Sequence, residues 1–275
     1  MKTIDNFGLR YDDKTVLITG GSKGIGEGCA RVFADAGANV VICARGVNAG
    51  EMLAKEIRNT GGVCEYIRAD VTLPAELKNT VEYCIERFGY IDCLINNAGR
   101  HSGFKPVDEY SVDEFAELIH MNLISYFTAL KYSLPYIRQR KGNIINISSL
   151  VGQIGQGGAC IYAATKGAIT SLTKSLAIEE IRFGVRVNCV SPGNIATSSR
   201  LEVEKATEDG AALSRLVDSW QPIGRSGTNE EVGQLCLFLA SGAASYITGA
   251  DIIISGGSEL GYGIKYPFSI FENKE

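Results

Sequence analysis

The stretch Thr15-Val16-Leu17-Ile18-Thr19-Gly20-Gly21-Ser22-Lys23-Gly24-Ile25-Gly26 decides the fold. A short β-branched, apolar run ends in glycines, and a helical pattern follows to about Ala36. Such a run predicts a buried strand and the pattern after it a helix. Glycines at 20, 24 and 26 permit a tight turn, close approach of a pyrophosphate, and close packing of helix on strand. A phosphate there would face the helix N-terminus, where free N–H groups and the helix dipole favour an anion. No Gly-Lys-Ser/Thr closes the loop, so it is not the usual nucleoside-triphosphate loop.

The same alternation continues through the chain. Further strands are expected at 39–43, 65–68, 92–96, 143–148, 185–190 and 251–255. Helical patterns occupy 49–59, a stretch beginning near Pro74, a long stretch over 112–137, and 162–181. Strands that are apolar throughout and alternate with helices mean a parallel sheet covered on both faces. The fold class is therefore α/β, a Rossmann-type doubly wound parallel sheet of seven strands with helices on both faces. No linker, repeat or low-complexity segment interrupts residues 1–275, and one domain is expected. Ligands of such sheets bind beyond the carboxyl ends of the strands, where the strand order reverses.

Composition narrows the function. The 275 residues are 45% hydrophobic and 21% charged, with a net charge of −4, which is ordinary globular usage. That balance, with no basic run beyond Arg138-Gln139-Arg140-Lys141, argues against a nucleic-acid surface. Eight cysteines form no Cys-x-x-Cys, and only two histidines are present, His101 and His120. The thiols read as core residues of a reduced compartment, and no metal site is expected. No apolar run approaches the ~20 residues that span a bilayer, and residues 1–13 lack the apolar core of a signal peptide. A soluble, cytoplasmic protein without a membrane partner is the expectation.

The chemistry should lie in Tyr162-Ala163-Ala164-Thr165-Lys166, with Ser149 thirteen residues before the tyrosine. On a helix, Tyr162 and Lys166 share one face. An ammonium near a phenol favours the phenolate and draws its pKa down from about 10, which a proton-exchanging group needs at neutral pH. Ser149 ends the apolar run Ile144-Ile145-Asn146-Ile147, so its hydroxyl could hold a substrate oxygen facing that phenol.

Taken with these residues, the loop spacing Thr-Gly-x-x-x-Gly-x-Gly resembles the classical short-chain dehydrogenase/reductase family. Asn96-Asn97-Ala98-Gly99, Asn122, and Ser191-Pro192-Gly193-Asn194-Ile195-Ala196-Thr197 agree with it in order and position. The likeness covers roughly residues 13–263. It implies Tyr162 as acid in reduction and base in oxidation, with Ser149 orienting the carbonyl or hydroxyl. Lys166 would bind the nicotinamide ribose, lower the tyrosine pKa, and connect through water to Asn122 in a proton relay. The cofactor would also meet Gly20, Ser22, Lys23, Gly24, Ile25, Gly26, Asp70, Val71, Asn96, Ala98, Gly99, Pro192, Gly193, Ile195 and Thr197.

The second strand ends Cys43-Ala44-Arg45. Folds that prefer NAD usually place a carboxylate at this point for the ribose 2′-hydroxyl. With Ala44 there, and Arg45 and Lys23 nearby to grip a phosphate, NADP(H) is favoured and NAD(H) remains possible. Residues 195–230 should form the lid over the substrate, where Trp220 is either a pocket wall or simple packing. Gln156, Gly157, Ala159 and Cys160 should line the pocket mouth, and His101 could reach it.

The run 146–156, Ser191-Pro192-Gly193-Asn194-Ile195 and the tail Ser255 to Gly263 look like the type-14 17β-hydroxysteroid dehydrogenase branch. That likeness implies a small-molecule substrate, a secondary alcohol or ketone such as a 17-hydroxy or 17-keto steroid, or a sugar such as L-fucose. It also implies a homotetramer pairing through 112–137 and the helix after Tyr162, with Tyr262 reaching a neighbour's pocket. Residues 264–275 read as a loosely docked tail. The alternatives are a 3-oxoacyl thioester reductase, which shares these motifs, and a dinucleotide-binding regulator without turnover.

Overall fold

In the computed structural model, which describes residues 8–260, seven parallel strands form one sheet in the order β3-β2-β1-β4-β5-β6-β7. They are β1 Thr15–Thr19, β2 Asn39–Ala44, β3 Val63–Arg68, β4 Cys93–Asn96, β5 Asn143–Ile147, β6 Arg186–Pro192 and β7 Asp251–Ile254. The fold class read from the alternation is the one observed. Because side chains alternate across a strand, each strand feeds two cores. Val16, Ile18, Val40, Ile42 and Ile95 face one side, and Leu17, Val41, Leu94 and Ile144 face the other.

The helices are α1 Gly24–Asp35, α2 Val47–Asn59, α3 Pro74–Phe88, α4 Val112–Ile119, α5 Ser125–Arg140, α6 Val151–Ile154, α7 Cys160–Glu180, α8 Ser198–Ala206, α9 Gly210–Ser219 and α10 Asn229–Ala240. The first core lies under α1, α2 and α10, and the second under α3, α5 and α7. None of the described helices is long and apolar enough to cross a membrane. Tyr262 and the tail 264–275 lie outside the described residues.

Three features differ from the sequence expectation. The long helix over 112–137 is two helices joined by a π turn at His120–Ile124. The helix carrying Tyr162 and Lys166 begins at Cys160 rather than at Tyr162. Within the expected lid the acidic piece is a pair of helices, α8 and α9, and the chain then returns as α10, an element absent from the sequence expectation. Thr228 caps α10 reciprocally with Glu231, a pairing that satisfies two orphan donors.

Glycine sets how closely α10 lies on α1. A Cβ at Gly28 would fall 2.3 Å from the backbone of Asn229, and one at Gly233 would fall 2.8 Å from the Gly28 carbonyl oxygen. Gly28→Ala is therefore expected to destabilise the fold by about 2 kcal/mol, the usual range for overpacking. An unchanged denaturation midpoint would show that the two helices separate freely.

Both ends of the lid come back to this helix. Thr197 lies beside Gly24, at 3.4 Å from where its Cβ would be, and Asn229 lies against Gly28. The ends also pair with each other, through a parallel bridge between Ile195 and Gly227. Ala196 N–H donates to Gly227 O at 2.9 Å, and Gly227 N–H to Asn194 O at 3.0 Å.

Candidate active site

Strand order reverses beside β1, whose neighbours are β2 and β4, and the site opens at their carboxyl ends. Gly20 adopts φ +65° and Gly24 φ +55°, a region only glycine enters without strain. A Cβ at Gly26 would meet Gly20 O at 2.3 Å, and one at Gly20 would meet Ala98 Cα at 2.9 Å. The glycine loop is thus pressed against the segment after β4. Asn97 fastens the two, since its Nδ2 donates to Thr19 O at 3.0 Å and Gly20 O at 3.1 Å. The Thr19 hydroxyl accepts from the N–H groups of Asn97 and Ala98.

A cavity of about 550 Å³ lies over this seam, walled by the glycine loop, 97–101, Ile147, Ser148, Tyr162, Lys166 and 197–199. No side chain caps the first turn of α1, so its leading amides stay available to an anion. Ser198 Oγ, in the cavity wall, is buried without a hydrogen-bond partner among the described residues. A cradle that a Cβ would fill, open amides and an orphaned hydroxyl fit a bound dinucleotide.

Lys166 and Tyr162 meet in this cavity, and Ser149 follows β5. Leu150 N–H donates to Pro192 O at 2.9 Å, and Ser148 Oγ to Lys166 O at 2.7 Å, so the Ser149 turn is tied to both β6 and α7. Gly152 lets α6 lie on α7, where a Cβ would fall 2.8 Å from the Lys166 carbonyl carbon. Lys166 is buried, its Nζ donates to Ile147 O at 2.9 Å, and burial pulls its pKa down to about 8. Tyr162 is half-buried, yet enough protein surrounds its hydroxyl that burial pushes its pKa up. The opposing influence is the hydrogen bond with Ser149. Lys166 Nζ lies 5.8 Å from the Tyr162 ring centroid.

The π turn explains Asn122. It carries this fully buried residue inward, where Nδ2 donates to Arg100 O at 3.0 Å and Thr165 Oγ1 at 3.1 Å. Arg100 N–H returns a bond to Asn122 Oδ1 at 3.0 Å. Extra turns of this kind commonly mark functional sites.

The other residues singled out from the sequence divide by position. Gly20, Lys23, Gly24, Ile25, Ala98, Gly99, His101 and Thr197 line the cavity. Asn96 does not: it is fully buried in the sheet and donates to Asn146 Oδ1 at 2.9 Å. Its neighbour Asn97, just past the end of β4, takes the place at the cavity. Asp70 turns its carboxylate to the N–H and hydroxyl of Thr72 at 3.0 and 2.7 Å. Burial opposes ionisation of that carboxylate, but these bonds, with Arg45 and Arg68 nearby, leave its pKa lowered overall. Val71 is buried beside it. Ser22 follows Gly21, where a Cβ would strike Ile42 at 2.5 Å. Arg45 is exposed just beyond β2. Pro192 and Gly193 end β6 against Ser255, and Ile195 is buried at the lid bridge.

On the substrate side, the His101 ring lies 4.4 Å from the Tyr162 ring, centroid to centroid, and its Nε2 is 3.2 Å from Gln156 Oε1. Ala159 is fully buried, and Cys160 and Trp220 are exposed.

A doubly wound sheet with a glycine cradle at its switch point and a serine, tyrosine and lysine beside it defines a nicotinamide-dependent oxidoreductase. Residues 20–259 match the family described as "Enoyl-(Acyl carrier protein) reductase". The chain belongs to the classical short-chain dehydrogenase/reductase family, whose members bind NAD(P), and it is an oxidoreductase acting on CH–OH groups. It is similar to an L-fucose dehydrogenase of Rattus norvegicus, 46% identical over 93% of this chain and 93% of that one. It is also similar to a 3-oxoacyl-[acyl-carrier-protein] reductase of Chlamydia pneumoniae, 36% identical over 89% and 96%. Among solved structures, L-sorbose reductase from Gluconobacter frateurii, complexed with NADPH and L-sorbose, superposes with a TM-score of 0.87. It is 29% identical and covers 91% of this chain and 98% of that one.

Proposed function

We propose that the protein oxidises a secondary alcohol of a sugar, with L-fucose the first substrate to test, and reduces the matching carbonyl in reverse. The observation that carries this reading is the polar amide of Gln156, which the His101 ring holds beside Tyr162 through its Oε1. A hydroxyl-rich substrate needs such partners, because a buried hydroxyl left unpaired loses affinity. The steroid expectation has no comparable support; the similar dehydrogenases act, by name, on L-fucose.

In oxidation Ser149 would hold the alcohol oxygen and Tyr162, as phenolate, would take its proton. The bound nicotinamide supplies the hydride acceptor. Lys166 would bind the cofactor ribose and, through water to Asn122, carry the proton onward. Gly20, Gly24, Gly26 and the first turn of α1 would hold the pyrophosphate.

For the cofactor, Ala44 and the exposed Arg45 and Lys23 at the end of β2 and in the glycine loop favour NADP(H) over NAD(H). Arg45→Asp is expected to lower the ratio of kcat/KM with NADP to that with NAD by about tenfold or more, the loss of one charge-assisted contact. An unchanged ratio would remove the basis for this preference. The deciding experiment for function is turnover of L-fucose, other sugars, a 17-hydroxysteroid and a 3-oxoacyl thioester with both cofactors. Preference for the thioester would install the acyl reductase reading, favoured by the Chlamydia pneumoniae likeness. No turnover of any would favour a regulator.

A further inference from the structure

Tyr110 belongs to none of the motifs above, yet several hydrogen bonds above Tyr162 converge on it. It ends the segment that leads from β4 toward α4. Its Oη lies 3.0 Å from Gly158 O, 3.1 Å from Ser102 Oγ and 3.2 Å from Gly103 O. Gly158 O also accepts from Lys105 N–H at 2.9 Å, so one carbonyl before α7 gathers the whole segment. Lys105 Nζ sits 4.7 Å from the Tyr110 ring centroid and pairs with Glu114 at 2.5 Å.

The contacts then pass to His101. Gly103, at φ +85°, donates its N–H to His101 Nδ1 at 3.0 Å. Because Nδ1 accepts there, the proton of the neutral ring is on Nε2 and is donated to Gln156 Oε1 at 3.2 Å. The ring is thereby held between Phe104, at 4.8 Å, and Tyr162, at 4.4 Å.

We propose that Tyr110 is a positioning residue, whose hydroxyl clasps the loop before α4 to Gly158 and so holds His101 against Tyr162. The clasp fixes one wall of the substrate pocket and the tautomer of the ring that forms it. The kinetic part of the test rests on the sugar-oxidation reading; the structural part rests on geometry alone.

The chain has two histidines, so isotope-labelled histidine gives resonances that His120→Gln assigns at once. In Tyr110→Phe the His101 ring nitrogens are expected to shift from a pure Nε2–H pattern toward a mixture of tautomers, and its ring protons to lose part of the shielding from Tyr162 and Phe104. With L-fucose, kcat/KM should fall about tenfold, the scale of a small misplacement at a reacting centre, mainly through KM, while the cofactor KM stays within about twofold. Should Tyr110→Phe fail to fold, Gly103→Ala, which has open space for a Cβ but the wrong φ, should displace the same ring. His101 resonances unchanged in the folded variant would overturn the clasp. Shifted resonances with no L-fucose turnover in the wild type would uphold the clasp and overturn the sugar reading.

Discussion

Tyr162→Phe is expected to lower kcat by about 10³- to 10⁴-fold, the upper range for loss of a general acid–base, while cofactor binding stays near the wild-type level. The phenyl ring keeps the packing against His101 and removes only the hydroxyl that Ser149 bonds. The pH profile supplies a second readout. Oxidation needs the phenolate, and burial holds the phenol above its ordinary range, so wild-type oxidation should climb with pH into the alkaline region. Reduction needs the protonated phenol and should not climb. The variant's residual oxidation should lose the alkaline rise. Substantial turnover with the rise intact would assign proton transfer to another group.

Lys166→Met should abolish useful turnover and yet make the protein without cofactor more stable at pH 7. The lysine is fully buried, its ammonium meets one backbone carbonyl, and its pKa is drawn from 10.5 to about 8. The sign follows from proton binding: between pH 8 and 10.5 the unfolded chain holds the proton and the folded chain releases it, so stability rises with pH across that window. Below pH 8 both states are charged and the whole desolvation penalty is present. Removing the charge relieves on the order of 2 kcal/mol, after allowance for the lost hydrogen bond. The difference in melting temperature between variant and wild type should be greatest near pH 7 and shrink toward pH 10. A variant less stable than wild type at pH 7, or a difference independent of pH, would mean that the ammonium is well solvated in the folded protein.

Much of this molecule was legible in its residues because the periodicities are local. The seven apolar runs became seven strands, and the loop Gly20 to Gly26 reached the switch point by topology alone. What escaped depended on contacts distant in sequence or on signals left unread. The π turn has no marker in its apolar surroundings and exists because Asn122 is drawn to Arg100 and Thr165. Asn96 is the last residue of β4 and pairs with Asn146, whereas Asn97 lies just past the strand end at the cavity. Helix α10 did carry a signal, Thr228 with Glu231 before Val232, Cys236, Leu237 and Leu239, at the end of and just past the stretch 195–230 expected as a lid. The clasp at Tyr110 could not be read at all, since its partner Gly158 lies 48 positions away.

The return of both ends of the segment expected as a lid to α1 makes it a handle rather than a flap. Its two attachment points, at Gly24 and Gly28, stand about one helical turn apart, and the bridge between Ile195 and Gly227 closes the ring above them. A flap swings on one hinge and can open by any angle; a handle fixed at both feet can only rock about the line joining them. The entropy of closing so long a loop is already lost in the folded chain. One foot stands on the turn that would hold the pyrophosphate, so residues 195–230 and the cofactor's cradle share a single mount.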